Sequence, residues 1–396
     1  MLSLDKVFNA QTVLKSIIRE TNVVRAYGIA PDCELYLKPE NLQITGSFKV
    51  RGSAYKIAML SEEEKAKGVI ACSAGNHAQG VALAATKNGI KSLICLPDSA
   101  PISKVEATKG YGADVCLVEG CYDDAYKKAL ELKESQGYTF VHPFDDENVI
   151  AGQGTIALEI LNDLDNIDAI VVPIGGGGLI SGIAYTVKQI RPSVKVYGVQ
   201  AAGAPSMYNS VKDGEMECLQ GVSTIADGIA VKQPGENTFA LVREYVDEIA
   251  LVSDDEVASA ILALIEKQKM IAEGAGAVAV AAVMSGKFDL KGKRVVAVVS
   301  GGNIDVTSLS RVIDRGLLNS GRSSSLLIEL IDKPGQLKII SRIIADCGGN
   351  VTGVHYEKGN TESVNGCFLR IEMETRDFEH VNLITRSLRT EGFKLV

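Results

Sequence analysis

The sequence predicts an α/β fold of open, mainly parallel sheets, followed by a small α+β module at the C-terminus. From about residue 69, short apolar strands alternate with helical patterns of about 10–15 residues. The strands Ala169–Ile174 and Val295–Val299 are continuously apolar, as expected of strands covered on both faces. The polar segment Asn319–Ser325 then breaks the alternation, so we interpret it as a linker to a second region.

The individual elements follow from apolar periodicity. Strands are predicted at Val69–Cys72, Ser92–Leu96, Ala113–Val118, Ala169–Ile174, Lys195–Gln200 and Arg294–Ser300. Helices are predicted at Ala78–Lys87, Pro101–Gly110, Asp123–Gln136, Leu179–Ile190, Asp254–Gln268 and Gly276–Ser285. Beyond the linker, the order is strand Leu326–Ile331, helix Gly335–Asp346, strands Asn350–Lys358 and Val364–Thr375, helix Phe378–Thr390, with room for a last strand at Phe393–Val396.

Composition excludes several classes of protein. The 396 residues carry 41 Lys and Arg against 49 Asp and Glu, and this net charge of −8 argues against binding to nucleic acid. The eight cysteines form no C-x-x-C pair, which argues against structural zinc and indicates reduced thiols in a cytoplasmic protein. The N-terminus lacks a signal-peptide core and no run of 18 apolar residues occurs, so no membrane span is expected.

Three loops follow predicted strands at their carboxyl ends, where α/β sheets bind ligands. The first, Ser73–His77, offers backbone N–H groups and polar side chains at a helix start, which suits a carboxylate or phosphate or an ordinary capped turn. The second is the tetraglycine Gly175–Gly178, which predicts close approach of a phosphate. It matches neither a P-loop nor a dinucleotide fingerprint. The third is Ser300–Asn303.

A single lysine gives the loops a chemical interpretation. Lys49 lies between Phe48 and Val50 in a segment of small residues. A desolvated, unprotonated lysine forms Schiff bases with carbonyl compounds. Together with a phosphate loop, Lys49 predicts pyridoxal 5'-phosphate (PLP), which needs a lysine for its aldehyde and a cradle for its phosphate.

Four motifs, in this order along the chain, resemble those of threonine dehydratases (threonine ammonia-lyases). They are Ser47-Phe48-Lys49-Val50-Arg51-Gly52, Ser73-Ala74-Gly75-Asn76-His77-Ala78-Gln79-Gly80, the tetraglycine, and Ser300-Gly301-Gly302-Asn303. The resemblance implies a fold-type-II, tryptophan synthase β-like catalytic domain over residues 1–318, with a smaller subdomain at about 53–155. Residues 319–325 would be a linker. Residues 326–396, with the turn Asp332–Leu337, resemble an ACT regulatory domain of ferredoxin-like fold.

The resemblance also implies roles for individual residues. Lys49 would hold PLP as a Schiff base and act as the base in β-elimination, with Phe48 packed beside the ring. The phosphate would bind at Gly175, Gly176, Gly177, Gly178 and Leu179. Asn76 would meet the 3-hydroxyl of PLP and Ser300 its pyridine nitrogen. The substrate carboxylate would bind at Ser73, Ala74, Gly75, Asn76 and His77.

Ala74 separates this interpretation from its main alternative. Related serine racemases carry a serine there that exchanges a proton, and alanine has no proton to give, so elimination is favoured over racemisation. Gln200, Ala204 and Ser206 replace the acidic metal site of those racemases, so no strong Mg²⁺ site is expected, and a weak monovalent-cation site stays open. A catalytically inactive amino-acid sensor is the remaining alternative, and Lys49 argues against it. Glu273 is open to two interpretations, a favourable helix-start charge or a cofactor neighbour.

The expected activity is dehydration and deamination of L-threonine to 2-oxobutanoate and ammonia, and of L-serine to pyruvate. Isoleucine or valine would act as effectors at the tail, at Pro334, Gly335 and Asn350. The resemblance suits either isoleucine synthesis or threonine breakdown. Pairing of the tail modules at their sheet edges predicts a homodimer or homotetramer.

Overall fold

The structure, a computed structural model, describes residues 2–357 and 366–396. The chain divides into two compact units, one ending at Leu309 and the other spanning Ser310–Val396. Within the described residues, no helix combines the length and apolar character that a membrane span requires.

A six-stranded sheet forms the larger layer of the first unit. Its strands, numbered along the chain, are β1 (Val24–Arg25), β2 (Glu34–Pro39), β7 (Ala169–Pro173), β8 (Lys195–Ala201), β9 (Glu248–Val252) and β10 (Arg294–Val299). They lie in the order β1-β2-β10-β7-β8-β9, and all neighbours are parallel except β1 and β2. All five residues of β7 are buried, because helices cover both faces of a parallel sheet.

A second, wholly parallel sheet lies within the segment predicted as the smaller subdomain. Its strands are β3 (Val69–Cys72), β4 (Ser92–Pro97), β5 (Asp114–Val118) and β6 (Thr139–Phe140), in the order β5-β4-β3-β6. The two parallel sheets confirm the predicted α/β fold class. The chain therefore leaves the large sheet after β2 and returns to it at β7.

Several helices of this unit begin directly after a side chain that caps them, as after Ser3, Asp146 and Ser253. The helices of the unit are α1 (Leu4–Leu14), α2 (Lys49–Ala58), α3 (Glu62–Lys67), α4 (Asn76–Lys87), α5 (Ile102–Gly110), α6 (Tyr122–Gln136), α7 (Glu147–Asp163), α8 (Gly178–Ile190), α9 (Ser206–Asp213), α10 (Glu236–Tyr245), α11 (Asp254–Ala263) and α12 (Gly274–Met284). A capping box at Ser253 starts α11. The helix predicted through Gln268 ends as an α-helix at Ala263 and continues as a π-helical turn, which Lys269 closes at φ +57°.

The second unit has the order βαββαβ after the helix α13 (Val306–Asn319). Its elements are β11 (Ser323–Ile331), α14 (Gln336–Asp346), β12 (Asn350–Glu357), β13 (Gly366–Glu374), α15 (Phe378–Thr390) and β14 (Lys394–Leu395). The antiparallel sheet has the order β12-β13-β11-β14. β11 begins three residues before the predicted Leu326, because Ser323–Ser325 pair with β13. The predicted strand ends at Lys358 and Val364 lie outside the described residues.

Candidate active site

The three loops singled out in the sequence meet in one cleft of about 890 Å³. Ser73–Asn76 follows β3 of the small sheet, whereas Gly175–Gly178 and Ser300–Asn303 follow β7 and β10 of the large sheet. The predicted cofactor and substrate residues all line this cleft: Phe48, Lys49, Ser73, Ala74, Gly75, Asn76, His77, Gly175, Gly176, Gly177, Gly178, Leu179 and Ser300. The loops meet because the carboxyl ends of both parallel sheets open toward the same space.

Lys49 is the first residue of α2, and its side chain reaches into the cleft. Its Nζ donates to the backbone carbonyl of Pro143 at 2.8 Å and lies 5.3 Å from the centre of the Phe48 ring. Burial lowers the pKa of Lys49 to about 8, although the negative charge of Glu273 opposes this shift. Near neutral pH a useful fraction of this amine is therefore unprotonated and nucleophilic.

The tetraglycine turn forms the N-terminus of α8, with Gly177 at φ +99°. A Cβ on Gly176 would lie 2.5 Å from the Phe144 ring, and one on Gly178 would lie 2.8 Å from the Phe144 carbonyl. Close packing against this residue therefore requires glycine at both positions. Among the described residues, no side chain caps the first turn of α8. Its free N–H groups and the positive end of the helix dipole form an anion site.

The Ser73–His77 loop leads into a similar open helix start. The Ser73 hydroxyl accepts a hydrogen bond from the Gly75 N–H at 3.1 Å, which holds the turn before α4. In the part of the chain that the structure describes, α4 receives no side-chain cap. The start of α4 is thus a second candidate anion site, and it lines the same cleft.

Asn76 belongs to a chain of polar groups across the cleft floor. Its Nδ2 donates to Glu273 Oε1 at 2.6 Å, and its Oδ1 accepts from Asn303 Nδ2 at 2.7 Å. Burial, with a smaller contribution from the charge of Asp227, raises the pKa of Glu273 to about 7, against opposition from Asn76, Lys104 and Lys49. Glu273 therefore faces the cofactor loops, which favours the second of its two interpretations over a plain helix-start charge.

His77 is held away from proton transfer. Its Nε2 lies 2.8 Å from the Val141 carbonyl, and its Nδ1 lies 3.5 Å from the Ser53 hydroxyl. Because a carbonyl only accepts, Nε2 carries the proton and Nδ1 is the acceptor. Burial, followed by the charge of Lys49, lowers the pKa of His77 to about 3, so the ring stays neutral and positions the loop.

Ser300 is buried at the end of β10, and its hydroxyl donates to the Ala275 carbonyl at 3.2 Å. Its backbone carbonyl accepts from the Phe48 N–H at 3.1 Å, which ties the third loop to the residue before Lys49. The three loops and Lys49 are thus joined by direct contacts.

The sequence motifs missed a buried ion network directly behind the cleft. Arg51 donates to both carboxylate oxygens of Glu40 at 2.7 and 2.8 Å, and to both oxygens of Glu159 at 2.6 and 2.8 Å. Lys38 pairs with Glu159 at 2.5 Å. Burial alone would lower the pKa of Arg51, but the two carboxylates outweigh burial and raise it. A charged Lys38 in the apolar strand Leu35–Pro39 was the available sequence signal.

The cleft wall also includes His142 and Phe144, which the motifs did not indicate. His142 Nδ1 accepts from the Asp145 N–H at 2.7 Å, and its ring packs edge-on against Phe144 with centroids 4.7 Å apart. These residues lie in an irregular loop after β6, where periodicity gives no signal.

The positions considered for a cation are used by the protein itself. Gln200 Oε1 accepts from the Tyr208 N–H at 2.8 Å, and the Ser206 hydroxyl donates to the Val231 carbonyl at 2.8 Å. Across residues 2–357 and 366–396, no three His, Cys, Asp or Glu side chains group as metal ligands.

The donors of the cleft fit PLP. The aldehyde of this cofactor needs an amine that loses its proton readily, and its phosphate needs an anion site. Lys49, with its lowered pKa, and the uncapped start of α8 meet both needs within one cleft. Ser300 supplies a neutral hydroxyl where the resemblance places the pyridine nitrogen.

Comparison with known proteins agrees with this fit. Residues 14–301 match the family described as pyridoxal-phosphate dependent enzyme. The chain is 48% identical to an L-threonine ammonia-lyase of Thermotoga maritima, over 100% of this chain and 99% of that protein. Its structure is similar to the processed form of threonine deaminase isoform 2 of Solanum lycopersicum, with TM-score 0.76, 39% identity, and coverage of 80% and 90%. Maize serine racemase matches with TM-score 0.75, 34% identity, and coverage of 80% and 98%.

Proposed function

Because the chain belongs to the pyridoxal-phosphate-dependent enzyme family, we propose that it is a threonine ammonia-lyase. It converts L-threonine into 2-oxobutanoate and ammonia, and L-serine into pyruvate and ammonia. The observation that carries this proposal is the amine of Lys49, kept at a pKa of about 8 between two open helix N-termini. One N-terminus receives the cofactor phosphate and the other the substrate carboxylate.

The residues of the cleft divide the work of elimination. When bound, PLP supplies an electron sink for the pair left at the substrate Cα. Lys49 Nζ would hold the cofactor and would also be the base that takes the Cα proton of the substrate. Its lowered pKa leaves about a tenth of this nitrogen unprotonated at pH 7, far more than in an ordinary lysine. The Ser73–Asn76 loop holds the carboxylate and so fixes the Cα–H bond toward Lys49.

Ala74 favours elimination over racemisation. Racemisation requires an acid on the face of the substrate opposite Lys49, and a methyl side chain has no proton to give. His77 cannot substitute for this acid, because its Nε2–H is bound to Val141 and its pKa lies near 3.

An assay with matched variants tests the activity. The purified, PLP-loaded protein should form 2-oxobutanoate and ammonia in equal amounts from L-threonine, whereas Lys49→Ala should form neither. With L-serine, pyruvate should greatly exceed D-serine, and Ala74→Ser should raise the share of D-serine. D-serine as the main product of the unsubstituted protein would favour the racemase alternative. A PLP-loaded protein without turnover would favour the sensor.

We further propose that residues 326–396, within the second unit, form an ACT regulatory domain. Its βαββαβ order with the sheet β12-β13-β11-β14 supports this assignment. Pro334 and Gly335, at φ +96°, form the turn before α14, and Asn350 begins β12. An amino acid such as isoleucine would act here by binding two states of the protein with different affinities.

Effector binding can be tested in the full chain. Isoleucine or valine should change the threonine concentration needed for half-maximal turnover, and Asn350→Ala should weaken that response at least about tenfold. Asn350 Nδ2 donates to Glu374 at 2.8 Å, so Glu374→Gln is the matched control for a purely local disturbance. An unchanged response in Asn350→Ala would remove this residue from the effector site. Sedimentation of the same protein distinguishes the two expected assemblies, a homodimer and a homotetramer.

A further inference from the structure

Asn303 closes the chain of polar groups that runs through Asn76 to Glu273. Its Nδ2 lies 2.7 Å from the Thr45 carbonyl and 2.7 Å from Asn76 Oδ1. Asn76 Nδ2 then lies 2.6 Å from Glu273 Oε1. These three hydrogen bonds join the segment before Lys49, the third loop, the start of α4 and the start of α12.

These hydrogen bonds form a relay from Thr45 through Asn303 and Asn76 to Glu273. Which group donates at each step of the relay is determined at its Thr45 end. A backbone carbonyl can only accept, so the end of the Asn303 amide nearest to it must be the NH₂ group. The two hydrogens of that group reach Thr45 and Asn76, so Asn76 must present its oxygen to Asn303. Asn76 therefore keeps its own NH₂ group for Glu273 and for the cleft.

Two glycines make room for the relay. A Cβ on Gly46, which has φ +70°, would lie 2.3 Å from Asn303 Oδ1. A Cβ on Gly301 would lie 2.3 Å from Glu273 Oε1 and 3.1 Å from Asn76 Nδ2. The backbone is thus shaped around both ends of the hydrogen-bonded chain, as expected if the relay itself matters.

We propose that Asn303 is a positioning residue that fixes the orientation of the Asn76 amide, so that Asn76 offers a donor to the cofactor. This inference rests on the proposed function, in which Asn76 meets the 3-oxygen of PLP. A donor stabilises the ionised form of that oxygen, whereas an acceptor stabilises its protonated form. Asn303 would then influence the protonation state of that oxygen through Asn76.

Substitution of Asn303 should either reverse the orientation of the Asn76 amide or remove the hydrogen bonds that fix it. In Asn303→Asp, the introduced carboxyl offers an acceptor to Asn76, so the Asn76 amide should rotate and turn its oxygen toward Glu273. In Asn303→Leu, both hydrogen bonds disappear and both orientations become accessible. In the double variant Asn303→Asp with Glu273→Gln, the rotated Asn76 amide again has a partner at each end. It donates to the introduced aspartate, and its oxygen accepts from the introduced glutamine amide.

The readout is the absorption spectrum of the PLP-loaded protein at saturating cofactor and fixed pH, alongside its thermal midpoint. Relative to shorter-wavelength absorbance near 330 nm, the band at about 410–420 nm should fall at least about threefold in Asn303→Asp, and less in Asn303→Leu. The double variant should regain the thermal midpoint of the unsubstituted protein, while its band ratio stays as low as in Asn303→Asp. A wild-type band ratio in both single variants would overturn the proposal. Recovery of both stability and spectrum in the double variant would also overturn it, since Asn303 would then be purely structural.

This experiment does not depend on turnover. If the protein binds PLP but fails to convert threonine, the proposed activity fails while the spectra still test Asn303. If the protein converts threonine and the spectra of the variants equal that of the wild type, only the role of Asn303 fails.

Discussion

Lys49 and Arg51 lie two residues apart on α2, but they belong to two charge clusters that differ in whether a carboxylate contacts the cation. Arg51 is fully buried and its guanidinium binds two carboxylates, Glu40 and Glu159, in bidentate fashion. Lys49 meets a backbone carbonyl, and within the described residues no carboxylate forms an ion pair with it. The pKa of Arg51 is raised by its carboxylates against burial, whereas burial lowers the pKa of Lys49 to about 8.

The difference shows how one helix combines anchoring with reactivity. A buried cation that holds the structure together needs its countercharges in contact, or its desolvation is not offset. A buried amine that must act as nucleophile and base needs those countercharges kept out of contact, so that it loses its proton. Arg51 can thus fix the start of α2, while the Lys49 amine two residues before it stays able to lose its proton.

The largest expected effect comes from removing the reactive member. Lys49→Met should reduce turnover at least about 10³-fold, because the residue that holds the cofactor and the base are lost together. The unfolding free energy of the cofactor-free protein should not fall, since a desolvated amine is replaced by an apolar chain of similar length. Turnover of the PLP-loaded protein and urea unfolding of the cofactor-free protein check the two parts. A strongly destabilised but active variant would reverse the roles assigned to the two clusters.

Removing the anchoring member should have the opposite outcome. Arg51→Met leaves Glu40 and Glu159 buried without their main partner, so the unfolding free energy should fall by about 3–5 kcal/mol. Urea unfolding measures this loss. Lys65→Met, which breaks an exposed pair with Glu62 on α3, is the matched control and should cost less than about 1 kcal/mol. Equal losses in the two variants would contradict the comparison.

Glu273 should make stability depend on pH in a defined direction. Its pKa is about 7 in the folded chain and 4.5 without the fold, so the folded protein binds the proton more tightly. This contribution is complete below pH 4.5 and is lost as the pH rises to 7, by up to about 3 kcal/mol. The unfolding free energy of the cofactor-free protein minus that of Glu273→Gln should therefore fall across this window. A constant difference would show that burial does not perturb this carboxyl.

The smallest effect is expected at the rim of the cleft. Asp227 is exposed, pairs with Lys104 at 3.1 Å, and contributes less than burial to the raised pKa of Glu273. In Asp227→Asn, the pH range over which Glu273 loses its contribution should shift downward by less than about one pH unit. The unfolding free energy should change by less than about 1 kcal/mol. The same urea titrations measure the shift. A larger shift would mean that charge, more than burial, controls Glu273.

Sequence patterns predicted the parts of the fold that repeat with a regular period. The predicted strand Val69–Cys72 is confirmed residue for residue, and the helix predicted at Leu179–Ile190 begins one residue earlier, at Gly178. No elements were predicted for residues 1–68, so the helices α1, α2 and α3 were missed there, together with two short strands and the 3₁₀ turn at Glu40–Leu42. The start of β11 was missed because three serines resemble a linker until β13 pairs with them.

The parts of the cleft that consist of residues adjacent in sequence, such as the Lys49 segment and the tetraglycine, could be predicted from short motifs. The Arg51 network could not, because Glu159 lies 108 residues from Arg51 and only the packing of α7 beside α2 brings it close. Glu40 lies 11 residues from Arg51, in the 3₁₀ turn after β2, where no periodic pattern marks it. The glycine loop shows a related limit. The sequence predicted glycines for a phosphate, and the structure shows that packing against Phe144 requires two of them as well.

The most direct test of the account is to find where the cofactor is attached. The PLP-loaded protein is reduced with borohydride, digested and mapped by mass spectrometry. The account predicts a phosphopyridoxyl group on Lys49, and its absence from the Lys49→Met variant. A label on another lysine, or equal labelling of Lys38 and Lys49, would contradict the claim that separate charge clusters set the reactivity of the lysines around α2.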